Sequence, residues 1–154
     1  MTMTKMEIMS ETRRVIRENI DEFPMLEGIT IKFDRATARV GQYHYVKRQV
    51  SYSEAIMAHL PREDILDTIT HEIAHAIAGR GTGHSILWKR AHQRLGGSGL
   101  RAYKTIPLEA LISISKYRVE CAVTGEAISS FDRMPKRQYF CKCHKKNVVI
   151  IQQR

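Results

Sequence analysis

Cysteine is scarce in this chain: three residues among 154, all beyond position 120. An odd, late-placed trio cannot staple a disulfide framework, so stability has to come from a buried apolar core, and a reducing compartment suits it. No apolar run reaches the roughly 18 residues that a membrane-spanning helix requires. The opening stretch MTMTKMEIMSETRRVIRENI lacks the apolar centre and small-residue cleavage site of a secretory signal. The expectation is a soluble cytoplasmic chain with no membrane partner. Internal repeats and low-complexity tracts are absent too, which excludes solenoids and compositional linkers. Negative charge is the last shortage: 16 Asp and Glu face 25 Lys and Arg, a net charge of +9. That balance points to an anionic partner such as nucleic acid.

What is present is ordinary globular material. Hydrophobic residues make up 43% and charged residues 27% of 154, enough for a core in a chain about one domain long. The excess charge is uneven. Residues 1–61 and 62–97 each carry +1, whereas 98–154 carries +7. The glycine-rich break at 96–100 thus separates a nearly neutral body from a basic tail, and the chain reads as two parts, 1–98 and 99–154.

In the body, Ile8, Met9, Val15, Ile16 and Ile20 recur with a period near 3.6 over residues 6–21, and Pro24 stops the pattern. This predicts an amphipathic helix. From Gly28 the texture changes. Ile29, Ile31 and Phe33 alternate with polar residues, and Val46, Val50 and Tyr52 are strand formers. Two or three antiparallel strands are expected, broken at Asp34-Arg35 and at Gly41. The segment from Pro61 to Gly79 carries its own helix signals: proline for the first position, Glu63 and Asp64 in the first turn, glycine at the exit. Along it Ile65, Leu66, Ile69, Ile73, Ala76 and Ile77 form one apolar stripe, with His71 and His75 on the opposite side. A GRGTG turn then leads into a second helix, HSILWKRAHQRLGG, closed by Gly96-Gly97.

The first of these two helices contains His71-Glu72-Ile73-Ala74-His75, an H-E-x-x-H pattern. Residues four apart share a helix face, so two imidazole nitrogens can converge on one Zn²⁺ with Glu72 beside its open position. Zinc activates water and polarises a carbonyl, and the adjacent carboxylate moves the proton. A catalytic zinc takes three protein ligands. His84 is the favoured third, because it directly follows the glycine turn that folds the chain back. His92 lies about 12 Å further along the second helix and reads as a solvated helix residue. His44, His59 and Glu109 are the remaining candidates. Trp88, one turn after His84, is placed to pack against that ligand or to serve the core.

The stretch HEIAHAIAGRGTGHSILWKRAHQRLGG resembles the SprT-like, Spartan-related zinc metalloproteases, in which H-E-x-x-H is followed by G-H and an aromatic one turn on. Here those elements are His71, Glu72, His75, Gly83, His84 and Trp88. The segments ARVGQYHYVKRQVSYSEAIM and PREDILDTIT look like the family's strand pair and helix entry. The resemblance implies an α+β, zincin-like body with an N-terminal helix, a small antiparallel sheet and two active-site helices. It also implies endopeptidase activity, Zn²⁺ held by His71, His75 and His84, Glu72 as general base, and a protein substrate paired with an edge strand. Residues Val50 to Glu54 are the first choice for that strand. A metzincin pattern fits worse, since Ala78 and Gly81 stand where it needs glycine and histidine.

SprT-like chains often end in a zinc ribbon of two C-x-x-C knuckles. This tail has Cys121-Ala-Val-Thr124 and Cys141-Lys-Cys143-His144, a degenerate version. Cys121, Cys141, Cys143 and His144 offer a second, structural zinc site; the alternative is a metal-free β-hairpin. Lys104, Lys116, Arg118, Arg133, Lys136, Arg137, Lys142, Lys145 and Lys146 are interleaved with Tyr103, Tyr117, Phe131, Tyr139 and Phe140. Such a mixture suits single-stranded or distorted DNA, through phosphate contacts and base stacking. Two other functions fit the same residues: a nucleic-acid-binding protein whose zinc site is structural or non-proteolytic, and a zinc hydrolase acting on a non-protein amide.

Overall fold

The computed structural model describes residues 2–101 and 106–153. The chain is mixed α and β, in two compact units that divide between residues 105 and 106. No helix among the described residues is long and apolar enough to cross a membrane.

The first unit opens with helix α1 (Lys5–Asn19), started by a capping box in which Thr4 and Glu7 satisfy each other's backbone N–H groups. Ile8, Thr12 and Val15 form its buried face, and the Thr12 hydroxyl meets the Tyr52 hydroxyl at 3.0 Å. After a single 3₁₀ turn at Pro24–Leu26 come strands β1 (Thr30–Asp34), β2 (Gly41–His44) and β3 (Gln49–Ser53).

These strands do not form the antiparallel sheet expected. Their order is β1-β3-β2, with β3 parallel to β1 and antiparallel to β2. The third strand lies between the first two and is the most buried of them, with Val50 and Tyr52 both fully covered; unlike β1 and β2 it carries no Lys, Asp or His that must reach water. Gly41 begins β2 and does not break it. Val46 lies in the β2–β3 turn, 78% exposed, where Arg48 adopts a positive φ of 48°.

A short helix, α2 (Glu54–Met57), capped by the Ser53 hydroxyl, leads to α3 (Arg62–Ala78) and α4 (Ile86–Arg94). Pro61 sits at the cap of α3, one place before the first helical residue. Ile65, Ile69 and Ile73 are fully buried, each contributing about 1.5–3 kcal/mol by leaving water. The helix is covered on more than its apolar stripe, since Thr68, Thr70, His71, Glu72 and Ala74 are buried too. Gly79 ends it with φ +90°, a conformation that strongly favours glycine.

The second unit contains a helix that the strand-like, basic texture of the tail does not announce, α5 (Leu108–Ile114). Three antiparallel strands follow, β4 (Tyr117–Cys121), β5 (Ala127–Phe131) and β6 (Val148–Gln152), in the order β5-β4-β6. Two turns within this unit are built alike. Cys121 N–H donates to Glu126 C=O and accepts at its own C=O from Gly125 N–H; Cys141 does the same with Lys146 and Lys145. The residue four places on has positive φ in both turns, +72° at Gly125 and +54° at Lys145.

Candidate metal centre

Helix α3 supplies His71, Glu72 and His75, and the Gly79–Gly83 turn returns the chain so that His84 meets them. Ligand nitrogens of the three histidines all lie within 4.8 Å of one another, and the Nε2 atoms of His71 and His84 are 3.1 Å apart. Two nitrogens about 2.0–2.1 Å from one tetrahedral Zn²⁺ stand roughly 3.3 Å apart, so this donor set fits zinc. Burial, reinforced by the neighbouring imidazoles, pushes His71 down to about 3 and His75 down to about 4. Burial also lowers His84, helped by Arg101. All three are therefore neutral near pH 7, the form that ligates metals.

Glu72 points into a cleft of about 490 Å³ that it lines together with His75, Gly41, Tyr43 and Tyr45. Burial pushes its carboxyl up to about 8, against the opposing pull of the Tyr43 backbone N–H and of Arg39. A carboxyl this desolvated is a strong base once a cation beside it favours the ionised form.

Trp88 is 1% exposed. It lies with its ring centroid 4.6 Å from those of both His71 and His84, and its indole N–H donates to the His71 carbonyl at 3.2 Å. His92 corrects the expectation of a solvated residue, for it is fully buried. Its Nε2 meets the Asp67 carbonyl at 3.2 Å and the Thr70 hydroxyl at 3.1 Å, and its Nδ1 accepts from Gly99 N–H at 3.2 Å. With both nitrogens used, it is no ligand. Distance along the helix does not exclude it, for its ring centroid lies 5.5 Å from that of His71; what excludes it is the engagement of both nitrogens as the 96–99 loop closes over it. His44 and His59 are exposed and stand outside the histidine group, as does Glu109, which belongs to the second unit. The features least visible in the sequence are Gly41 and Tyr45, whose only signal is the aromatic-rich GQYHY run before the β2–β3 turn.

In the second unit Cys121, Cys141, Cys143 and His144 also bring their ligand atoms within 4.8 Å of one another. Cys121 Sγ lies 3.7 Å from Cys141 Sγ, 3.6 Å from Cys143 Sγ and 3.4 Å from His144 Nδ1. Thiolates at about 2.3 Å from tetrahedral zinc stand roughly 3.8 Å apart, so this set fits as well. Thr124 and His144 occupy equivalent places in the two matching turns. Thr124 is turned to Glu126 instead, its hydroxyl donating to the carboxylate at 3.4 Å and accepting from the Glu126 N–H at 3.3 Å, while the backbone N–H groups of Thr124 and Val123 hold the Cys121 thiol well below its usual range. Cys143 fills the gap that Thr124 leaves.

A mixed α+β body presenting an H-E-x-x-H helix, a returning histidine and a buried carboxyl defines a metallopeptidase-type domain. The SprT-like family model matches residues 7–109, and the chain belongs to the SprT-like family. Among curated proteins none matches it.

Proposed function

We propose that this protein is a zinc-dependent metalloendopeptidase with a zincin-like body. The observation that carries the reading is the convergence of His71, His75 and His84 next to the buried Glu72 in an open cleft. Zinc held by the three imidazoles supplies a Lewis acid for the scissile carbonyl and for water. Glu72 takes a proton from the attacking water at a carboxylate oxygen and passes it to the leaving amine. Trp88 holds His71 and His84 in orientation through ring contact and through its bond to the His71 carbonyl.

An extended substrate needs a sheet edge, and here the expectation of Val50 to Glu54 is corrected. Val50–Ser53 belong to β3, the central strand, with both sides already paired, and Glu54 opens α2. The cleft is lined by β2, whose outer side has no strand partner among the described residues. We assign substrate pairing to β2, a mode that reads backbone and leaves sequence preference weak.

The second unit is proposed as a zinc-stabilised module that docks single-stranded or distorted DNA, so that the substrates are proteins bound to nucleic acid. Lys136, Arg137, Lys142, Lys145 and Lys146 are exposed there, as are Tyr139 and Phe140. Tyr139, Phe140, Phe131 and Lys142 line a hollow of about 500 Å³ in which a base can stack. Arg118 serves differently, paired with Glu120 at 2.8 Å. Tyr103 and Lys104 lie outside the described residues.

Replacing Glu72 with Gln tests the catalytic reading. Peptide cleavage is expected to vanish while bound zinc stays constant, and full activity in that variant would sink the mechanism. His71→Ala is expected to lose the zinc of the first unit, measured by elemental analysis. If cleavage is absent from the unsubstituted protein with or without single-stranded DNA, while DNA binding persists, the chain is a nucleic-acid-binding protein instead.

A further inference from the structure

We propose that Gly41 is a positioning residue for Glu72, and that β2 sets the place of the general base while offering its outer edge to the same cleft. This rests on the reading of Glu72 as the base. Gly28, Gly79, Gly81, Gly83, Gly96, Gly99 and Gly125 all have positive φ, so backbone conformation accounts for them. Gly41 does not, and its backbone suits any residue. What excludes a side chain there is space. A Cβ added to Gly41 would stand 2.8 Å from Glu72 Cγ, 2.9 Å from its Oε1 and 3.1 Å from its Cδ.

The close approach involves the root of the glutamate as well as its tip. A flexible carboxylate can swing aside at little cost, but moving Cγ requires a change near the backbone. Glu72 has little room for that, being 6% exposed on a helix whose next two residues, Ile73 and Ala74, are fully buried. Tyr43, two places along the same strand, lines the same cleft as Glu72, and its backbone N–H favours the ionised carboxyl. One strand therefore packs against the stem and the tip of Glu72, narrowing the place left for the carboxylate relative to His71, His75 and His84. A displacement of about 1 Å at such a group can cost on the order of 100-fold in turnover.

Gly41→Ala tests this in two backgrounds. In the otherwise unsubstituted protein the added methyl is expected to lower the melting midpoint by about 5 °C through overpacking. In a Glu72→Ala background the space is vacated, and the same change should leave the midpoint unchanged or raise it, because alanine restricts the unfolded chain. If Gly41→Ala alone does not fold and the double variant does, the contact is equally established. An equal fall in both backgrounds, or no fall in either, overturns the proposal. On the enzyme, Gly41→Ala is expected to reduce kcat about 100-fold with bound zinc unchanged and KM altered less than about twofold. Unreduced kcat, or a loss confined to KM, overturns it as well, since distortion of β2 alone would act on substrate pairing. Should the unsubstituted protein cleave no peptide, the peptidase reading fails, and the stability comparison still decides whether Gly41 positions Glu72.

Discussion

His92 shows what a buried histidine does when both its nitrogens are engaged. Accepting from Gly99 N–H at Nδ1 places its proton on Nε2, which faces the Asp67 carbonyl and the Thr70 hydroxyl. Asp67 in turn accepts from the Ser98 N–H at 2.6 Å and from its hydroxyl at 2.9 Å. One imidazole thereby ties α3, α4 and the 96–99 loop together, behind the Trp88 ring that packs on His71. Gly97 completes the arrangement, because a Cβ there would fall 2.0 Å from His92 Cδ2. His92→Ala leaves a cavity and unpaired buried groups, and should cost about 2–4 kcal/mol in urea unfolding. Zinc affinity should fall with it, since the support of Trp88 loosens.

At the level of elements, the two matching turns of the second unit carry a different kind of prediction. Their backbones superpose in pattern, yet only the second has two thiols and a histidine, so the four donors come from one residue of the first turn and three of the second. Cys143→Ser in a His71→Ala background, where only this site can be counted, is expected to reduce bound zinc sharply. Adding Thr124→Cys restores a donor at the position equivalent to His144, and should restore the metal. Failure of that rescue would show that the turns are alike in backbone only. The sheet of the first unit illustrates how elements escape sequence reading. Strands β1 and β3 are visible from alternation and β-branched content, whereas β2 holds no β-branched residue and starts at the expected break Gly41, and alternation carries no information on which strand lies between the others. The central strand β3 has no Lys, Asp or His, whereas β1 carries Lys32 and Asp34 and β2 carries His44, side chains that edge positions leave in water.

For the whole molecule, ionisation and charge set behaviour. In zinc-free protein the depressed His71 and His75 contribute stability that is full above about pH 6.5 and lost as pH falls toward their folded values of about 3 and about 4 respectively. The raised Glu72 works in the other direction: its contribution is full below about pH 4.5 and lost as pH rises through about 8. Together these groups make the melting midpoint of chelator-treated protein peak near pH 6.5, and added zinc should flatten the alkaline fall. A midpoint that climbs steadily from pH 6.5 to 8 without metal would contradict the burial of Glu72. The +7 carried by residues 98–154 gives the matching test for DNA. Replacing Lys142, Lys145 and Lys146 by Gln should weaken single-strand binding and reduce the slope of log affinity against log salt by about 2.

The sequence by itself determined the chemistry-bearing pattern. His71, Glu72 and His75 are fixed by helical periodicity, and periodicity is a local property of neighbouring residues. It likewise separated the neutral body from the basic tail, because charge is counted and needs no fold. The glycine turn before His84 and the Cys121, Cys141, Cys143 and His144 set were legible as candidates, and the fold brings each group together; tertiary structure alone decided the burial of His92 and the passage of β2 over Glu72. Each of these joins groups far apart along the chain through close packing, and packing distances of a few tenths of an ångström leave no trace in spacing or composition.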